Sequence, residues 1–521
     1  MHLAIMEQRR GVKLLFAASE MTPFAKTGGL GDVVGALPPA LAELGHEVTC
    51  CLPFYRCARL RAEELAATSA TAAQAAAAES ARHTRLLQDE AAAGSATQAG
   101  LSFRVPVGSN LLSADILELN TAAGVRVLFV RRDEFFDRSD LYHTGVRDYE
   151  DNAERFIFFS KAVVELLGYE RYRPDVLHCH DWQTAFVPVE ALYRQQTRGT
   201  AYGVKTVFTI HNLAYQGLFP ATDFRLTDLP GEFFTPRALE FYGQLNLMKG
   251  GLVFSDAITT VSPAYAKEIQ TPEGGCGLDP VLRSRRDRIH GILNGADDRE
   301  WNPATDPALK QNYSAQDPAG KRVCRAELLR RFKVAADETT PVAAFISRLA
   351  DQKGVDLLLE SMDDLLRLGL VLVILGKGER RYEEQLQERA RKHRQRVVVQ
   401  IEYDEEMSHQ VQGGADVLLV PSRFEPCGLT QLYALKYGTI PVVYATGGLA
   451  DTVTPYDVKS GTGHGFRFVK YSPQAFVSAV QQAVSVYEQP KQWKKIMENA
   501  MACDFSWRAA AVKYEELYAA L

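Results

Sequence analysis

The chain has 521 residues, 46% of them hydrophobic and 24% charged, with a formal net charge of −5. That length exceeds what one hydrophobic core sustains, so at least two domains are expected, and the mildly acidic balance argues against nucleic acid as a partner. The eight cysteines form no C-x-x-C pair, Met1–Arg10 carries no cleavable leader pattern, and no stretch reaches the roughly 20 apolar residues of a membrane span, so a reducing setting without a membrane is expected.

Short runs rich in Val, Ile, Leu and Phe recur between longer amphipathic stretches, at Lys13–Ser19, Glu47–Leu52, Val125–Val130, Asp175–His178, Lys205–Ile210 and Asp256–Val261. Continuously apolar strands alternating with helices indicate a parallel sheet covered on both faces. Residues 1–302 are therefore read as one Rossmann-like domain. Within it, Ala62–Gly100 is dominated by alanine with Ser, Thr and Gln, and reads as a surface insertion with too few large apolar residues to build core.

After a stretch rich in Asn, Asp and Pro, the alternation restarts at Val342–Ile346, Leu370–Leu375, Val397–Ile401, Asp416–Val420 and Ile440–Tyr444. This reads as a second Rossmann-like domain over residues 303–500. In residues 501–521, Trp507, Tyr514, Leu517, Tyr518 and Leu521 fall near one helical face behind Asp504 or Ser506 as caps, and that helix is expected to pack back on the amino-terminal domain. Ligands of open parallel sheets bind outside the carboxyl ends of the strands, so the fold class is α/β, two such domains facing each other across a deep cleft.

Lys26-Thr-Gly-Gly-Leu-Gly-Asp32 follows the first strand, where glycines let a backbone approach a ligand and expose N–H groups at a helix start. A tight turn with a solvated lysine is the plainer reading of that segment alone. Arg348 and Lys353 follow the strand Val342–Ile346, and two cations at a strand end neutralise adjacent phosphates without a metal. In isolation such a pair is better explained by surface ion pairing.

Glu425 stands before a helix expected to begin near Gly428, where a carboxylate accepts sugar hydroxyls or merely caps the helix. Cys427 reads as a small packing residue. His178-Cys-His180-Asp181 has the look of a metal pair but lacks clustered Cys, His or Glu partners, so no metal is expected. Gly376-Lys-Gly378 lacks the third glycine of a dinucleotide fingerprint, no Walker A pattern exists, and no nucleophile elbow is visible.

Taken together, Lys26-Thr-Gly-Gly-Leu-Gly-Asp32, His180-Asp-Trp-Gln183, Phe208-Thr-Ile-His-Asn-Leu-Ala-Tyr-Gln-Gly217, Ile258-Thr-Thr-Val-Ser-Pro263, Asn294-Gly295, Ser347-Arg-Leu349, Ser422-Arg-Phe-Glu-Pro-Cys-Gly-Leu-Thr430 and Thr446-Gly-Gly-Leu-Ala-Asp451 resemble the bacterial glycogen synthase and plant starch synthase family. The resemblance spans nearly the whole chain. It implies a GT-B glycosyltransferase that moves glucose from ADP-glucose to the non-reducing end of an α-1,4-glucan with retention. It implies no cofactor and a cytoplasmic enzyme, or one of the plastid stroma in a photosynthetic eukaryote.

By the same resemblance, Lys26 and Gly29 contact the donor with Asp32 nearby, and Arg348 and Lys353 hold the diphosphate. Glu425 supports the glucosyl unit and His180 lies beside it, while Thr430 lies at the phosphate end and Cys427, Gly428 and Leu429 are donor-binding positions. Tyr403 falls near the adenine, and Asn246 is a polar donor-side position. Asp151-Asn152 and Arg155 also match a family signature and are read as structural. Two other readings share these residues: a retaining glucosyltransferase that uses UDP-glucose, and an inactive glucan-binding scaffold.

Overall fold

The computed structural model describes residues 11–65, 98–199, 203–334, 336–402 and 404–521. Most of the alanine-rich stretch, residues 66–97, lies outside the described residues, as does Tyr403. The chain divides into two compact units. The first runs to Thr260 and adds Ile269–Ile292 and Ala510–Leu521; the second comprises Val261–Glu268 and Leu293–Ala509. The division therefore falls ten residues before the expected 302/303 boundary and exchanges one short helical segment. The Asn- and Pro-rich stretch that suggested a linker instead packs within unit 2, where Trp301, Leu309 and Tyr313 are buried.

Unit 1 is built on a nine-stranded sheet among the described residues. Its parallel strands lie in the spatial order Ile289–Gly291, Ala257–Thr260, Lys205–Ile210, Val176–His180, Lys13–Ala17, Glu47–Pro53 and Arg126–Arg131. Lys13–Ala17, Glu47–Pro53 and Val176–His180 are almost wholly buried, as expected for a sheet covered on both faces. An antiparallel hairpin, Gln98–Val107 and Asn110–Asn120, extends the sheet past Arg126–Arg131. Gly108, at φ +57, turns it. The helix Asn152–Leu166 covers the sheet with nearly every side chain buried.

Among the described residues, unit 2 carries a six-stranded parallel sheet in the order Val397–Gln400, Val371–Leu375, Val342–Ile346, Val417–Val420, Ile440–Tyr444 and Phe466–Phe468. Successive residues point to opposite faces, and both faces are apolar. Ala343, Phe345, Leu372 and Ile374 join one core cluster, while Val342, Ala344, Val371 and Val373 join the other. Each Val, Leu, Ile or Phe among them contributes about 1.5–3 kcal/mol on burial.

Numbered along the chain within each unit, the parallel strands of unit 2 read 3-2-1-4-5-6, and those of unit 1 read the same with a seventh added. The crossover direction reverses between strands 1 and 4, and this is where open α/β sheets place their ligands. In unit 1 the reversal lies between Lys13–Ala17 and Val176–His180; in unit 2 it lies between Val342–Ile346 and Val417–Val420.

The final helix, Trp507–Ala519, is capped by Ser506, whose Oγ accepts from Ala509 N at 3.3 Å. Its later residues belong to unit 1, where Tyr514, Leu517 and Tyr518 are buried.

Candidate functional site

In unit 2 the loops after strands 1 and 4 are joined by an ion pair. Lys353 Nζ lies 2.5 Å from Glu425 Oε2. Gly354 (φ +75) makes this approach possible, because a Cβ there would sit 2.1 Å from the Pro421 carbonyl oxygen. Glu425 is buried, and its own carbonyl accepts from Gly448 N at 3.0 Å. Lys353, Glu425, Gly428, Leu429 and Thr430 line one pocket with Ser347 and Ser422. A larger hollow, beside Leu309, Cys324 and Arg331, includes none of the residues at these strand ends.

Arg348 is exposed beside this pocket, and its guanidinium donates to Gln352 Oε1 at 3.3 Å. Gln352 in turn donates to the Phe424 carbonyl, and its own carbonyl accepts from Arg423 N, so it ties the two loops together. The helix that was expected near Gly428 begins at Thr430; Gly428 lies outside it at φ +74, with Gln431 Nε2 donating to its carbonyl. The cause is local: Gln431 also donates to the Cys427 carbonyl, which holds the turn open for two more residues. Burial pushes the Cys427 thiol up to about 12, consistent with packing and not with a nucleophile.

In unit 1 the glycine-rich loop is organised by Glu20. Its carboxylate accepts from Thr27 N (2.6 Å), Thr27 Oγ1 (2.7 Å), Gly28 N (3.2 Å) and Tyr142 Oη (2.7 Å). Tyr142 is itself tied to the Asp151–Arg155 signature, since Asn152 donates to its carbonyl and accepts from Arg155. Lys26 and Asp32 pair at 2.6 Å. Gly29 opens the helix Gly29–Glu43, and among the described residues a Cβ at Gly28 or Gly29 would meet nothing within 4 Å, so the described residues leave the approach to this helix start clear.

His180 ends the fourth strand, fully buried. Its ring is stacked with His178 (4.3 Å between centroids), His211 (5.3 Å) and Phe16 (5.4 Å). Nδ1 lies 3.0 Å from His211 Nε2, and Nε2 has no partner among the described residues. Desolvation, with the neighbouring imidazoles adding to it, holds His180 well below the usual histidine range, and burial takes His178 and His211 down to about 3. The next residue, Asp181, sits at φ +55 and accepts from His211 N at 2.8 Å; burial pushes its carboxyl up to about 7.

Asn246 is fully buried, capping the helix Leu247–Phe254 through Lys249 N and donating to Gln216 Oε1 at 2.7 Å. Both ends of its amide are thus engaged within the unit. The structure brings Lys353 together with Glu425 and the 428–430 turn, and Lys26 with Asp32. Sequence reasoning missed Glu20, His211 and Gln352. His211 lay inside a segment already singled out, whereas a lone carboxylate after a strand offers no pattern. Among the described residues no group of three or more His, Cys, Asp or Glu side chains is arranged to hold a metal ion, and no helix is long and apolar enough to cross a membrane.

Residues 13–284 match the starch synthase catalytic domain family and residues 328–500 match the glycosyl transferases group 1 family. The catalytic domain of starch synthase IV from Arabidopsis thaliana, solved bound to ADP and acarbose, superimposes with a TM-score of 0.82 at 33% identity, over 98% of this chain and 99% of that one. The paired α/β units and their strand-end loops are those of a GT-B glycosyltransferase. Proteins named glycogen synthase are similar along almost the full length. That of Opitutus terrae is 42% identical over 97% of this chain and 99% of its own, and that of Anaeromyxobacter dehalogenans is 43% identical over 98% and 100%. The chain belongs to the glycogen synthase and starch synthase family.

Proposed function

We propose that this enzyme transfers the glucosyl group of ADP-glucose to the 4-hydroxyl at the non-reducing end of an α-1,4-glucan, with retention. The observation that carries the site assignment is the Lys353–Glu425 pair inside the pocket at the strand-order reversal of unit 2. As the bond from the anomeric carbon to the phosphate oxygen breaks, charge develops on the departing diphosphate. Arg348 and Lys353 neutralise it, with the 428–430 turn offering backbone N–H groups. Glu425 accepts hydroxyls of the glucosyl unit.

In unit 1, Lys26, Asp32 and the open backbone at Gly29 take the donor, and His180 orients the transferred glucose through its unpartnered Nε2. The acceptor hydroxyl attacks from the leaving-group face and passes its proton to the departing phosphate oxygen, so no covalent enzyme intermediate forms. ADP and acarbose in the Arabidopsis structure support the donor and the glucan class. The test is incorporation of labelled glucose into glycogen from ADP-glucose and, in parallel, UDP-glucose, followed by α-amylase digestion. Amylase-releasable label from ADP-glucose is expected; preference for UDP-glucose reassigns the donor, and glycogen binding without transfer from either makes the protein a scaffold.

A further inference from the structure

His178 is buried against His180, and the transfer reaction gives it no task. Both of its ring nitrogens are nevertheless engaged. Nδ1 lies 2.8 Å from Tyr518 Oη on the final helix, and Nε2 lies 2.6 Å from Thr209 Oγ1, which is 2.5 Å from Thr259 Oγ1 on the next strand. A neutral imidazole carries one N–H and one acceptor nitrogen, so its two partners together decide its tautomer and the plane of its ring. That plane is the one stacked at 4.3 Å on His180, with an interplanar angle of 29°. Tyr518 is itself buried and its ring packs edge-on to His178 at 5.8 Å, so the hydroxyl has little freedom to turn away.

We infer that Tyr518 is a positioning residue for His180: by holding Nδ1 of His178 it sets the orientation of the ring stack, and with it the direction of the unpartnered His180 Nε2. The inference rests on the proposal that His180 acts at the transferred glucose. Taking away the Tyr518 hydroxyl strands a buried nitrogen, and the His178 ring must rotate or change tautomer to find another partner. A displacement of about 1 Å at a reacting group lowers rates by up to about 100-fold.

Tyr518→Phe keeps the ring and its packing and removes only the bond. The expected result is a fall in kcat of about tenfold, with KM for ADP-glucose and glycogen within about twofold of the parent. In a His178→Gln background the same change should have no further effect, because the two residues act through one path. Thr209→Val removes the other partner of His178 and should reproduce the loss of kcat, even if Tyr518→Phe fails to fold. Leu517→Ala, on the same buried stretch of helix, should lower the thermal midpoint and leave kcat of the folded enzyme unchanged. Parental kcat in Tyr518→Phe or Thr209→Val overturns the inference, as does a Tyr518→Phe penalty that persists in full without His178. Full turnover in His180→Ala overturns the underlying reading, whereas an inactive His180→Ala beside a fully active Tyr518→Phe overturns only this one.

Discussion

Lys353 and Glu425 are 72 positions apart in sequence and 2.5 Å apart in space, linking the two loops that flank the strand-order reversal of unit 2. Glycines frame the contact on both sides: a Cβ at Gly354 would strike the Pro421 carbonyl oxygen, and one at Gly447 the Glu425 carbonyl oxygen, each at 2.1 Å. The ion pair therefore sits on loops held main chain to main chain, which fixes where its two side chains start.

Lys353→Ala should lower turnover at saturating donor about 100-fold, the effect of deleting one donor aimed at developing negative charge. Steady-state assay with ADP-glucose checks this, and undiminished turnover removes Lys353 from the reaction.

Two glycine substitutions should separate framework from ligand contact. Gly447→Ala introduces a side chain at φ +43 against the Glu425 carbonyl, which costs about 1–3 kcal/mol and displaces the carboxylate, so both thermal midpoint and turnover should fall. Gly29→Ala places its Cβ clear of the other described residues, so the midpoint should hold while KM for the donor rises. Parallel thermal unfolding and kinetics on the two variants make the comparison.

Glu20→Gln should raise KM for the donor by about tenfold with a smaller change in kcat. The carboxylate accepts four hydrogen bonds, and an amide presents an N–H₂ to at least one of those donors, loosening the turn at Thr27 and Gly28. Glu20→Asp, which keeps the charge on a shorter arm, should recover part of the donor affinity.

Acidification should destabilise unit 1 between about pH 6.5 and pH 4. His178 and His211, held down to about 3, and His180, also depressed, stay neutral when folded but take up protons near pH 6.5 when unfolded, so stability is lost as pH falls. Asp181 acts in the opposite sense. Raised to about 7, it keeps its proton in the folded state over a range where the unfolded carboxyl has lost it, and so favours folding toward acid. Unfolding near pH 5.5 should therefore take up roughly two protons, or ~2.7 kcal/mol per pH unit. Urea midpoints measured against pH test this, and Asp181→Asn should steepen the acid loss.

Much of the fold is legible because buried parallel strands are continuously apolar: Val371–Leu375 and Val342–Ile346 stand out with no knowledge of their neighbours. The hairpin Gln98–Val107 and Asn110–Asn120 escaped that filter, since residues such as Ser102, Arg104 and Ser113 break the apolar run, as an edge ribbon permits. Ile289–Gly291 and Phe466–Phe468 were missed because three residues make no pattern. Within the site, motif residues such as Lys353 and Glu425 were visible on their loops, but their contact was not, because it depends on Gly354 and Gly447 bringing distant main chains together. Glu20 and Gln352 act through hydrogen bonds to backbone groups, a role that leaves no mark on residue type or spacing.

The division of the chain also imposes an order in time. Unit 1 is completed by Ala510–Leu521, whose Tyr518 grips His178, yet residues 293–509 are translated in between. At roughly 5–20 residues per second, the ribosome spends on the order of 10–40 s on that interval. Throughout it, the nascent first unit exposes the apolar surface that Tyr514, Leu517 and Tyr518 later cover, a period in which a chaperone has a defined place to bind.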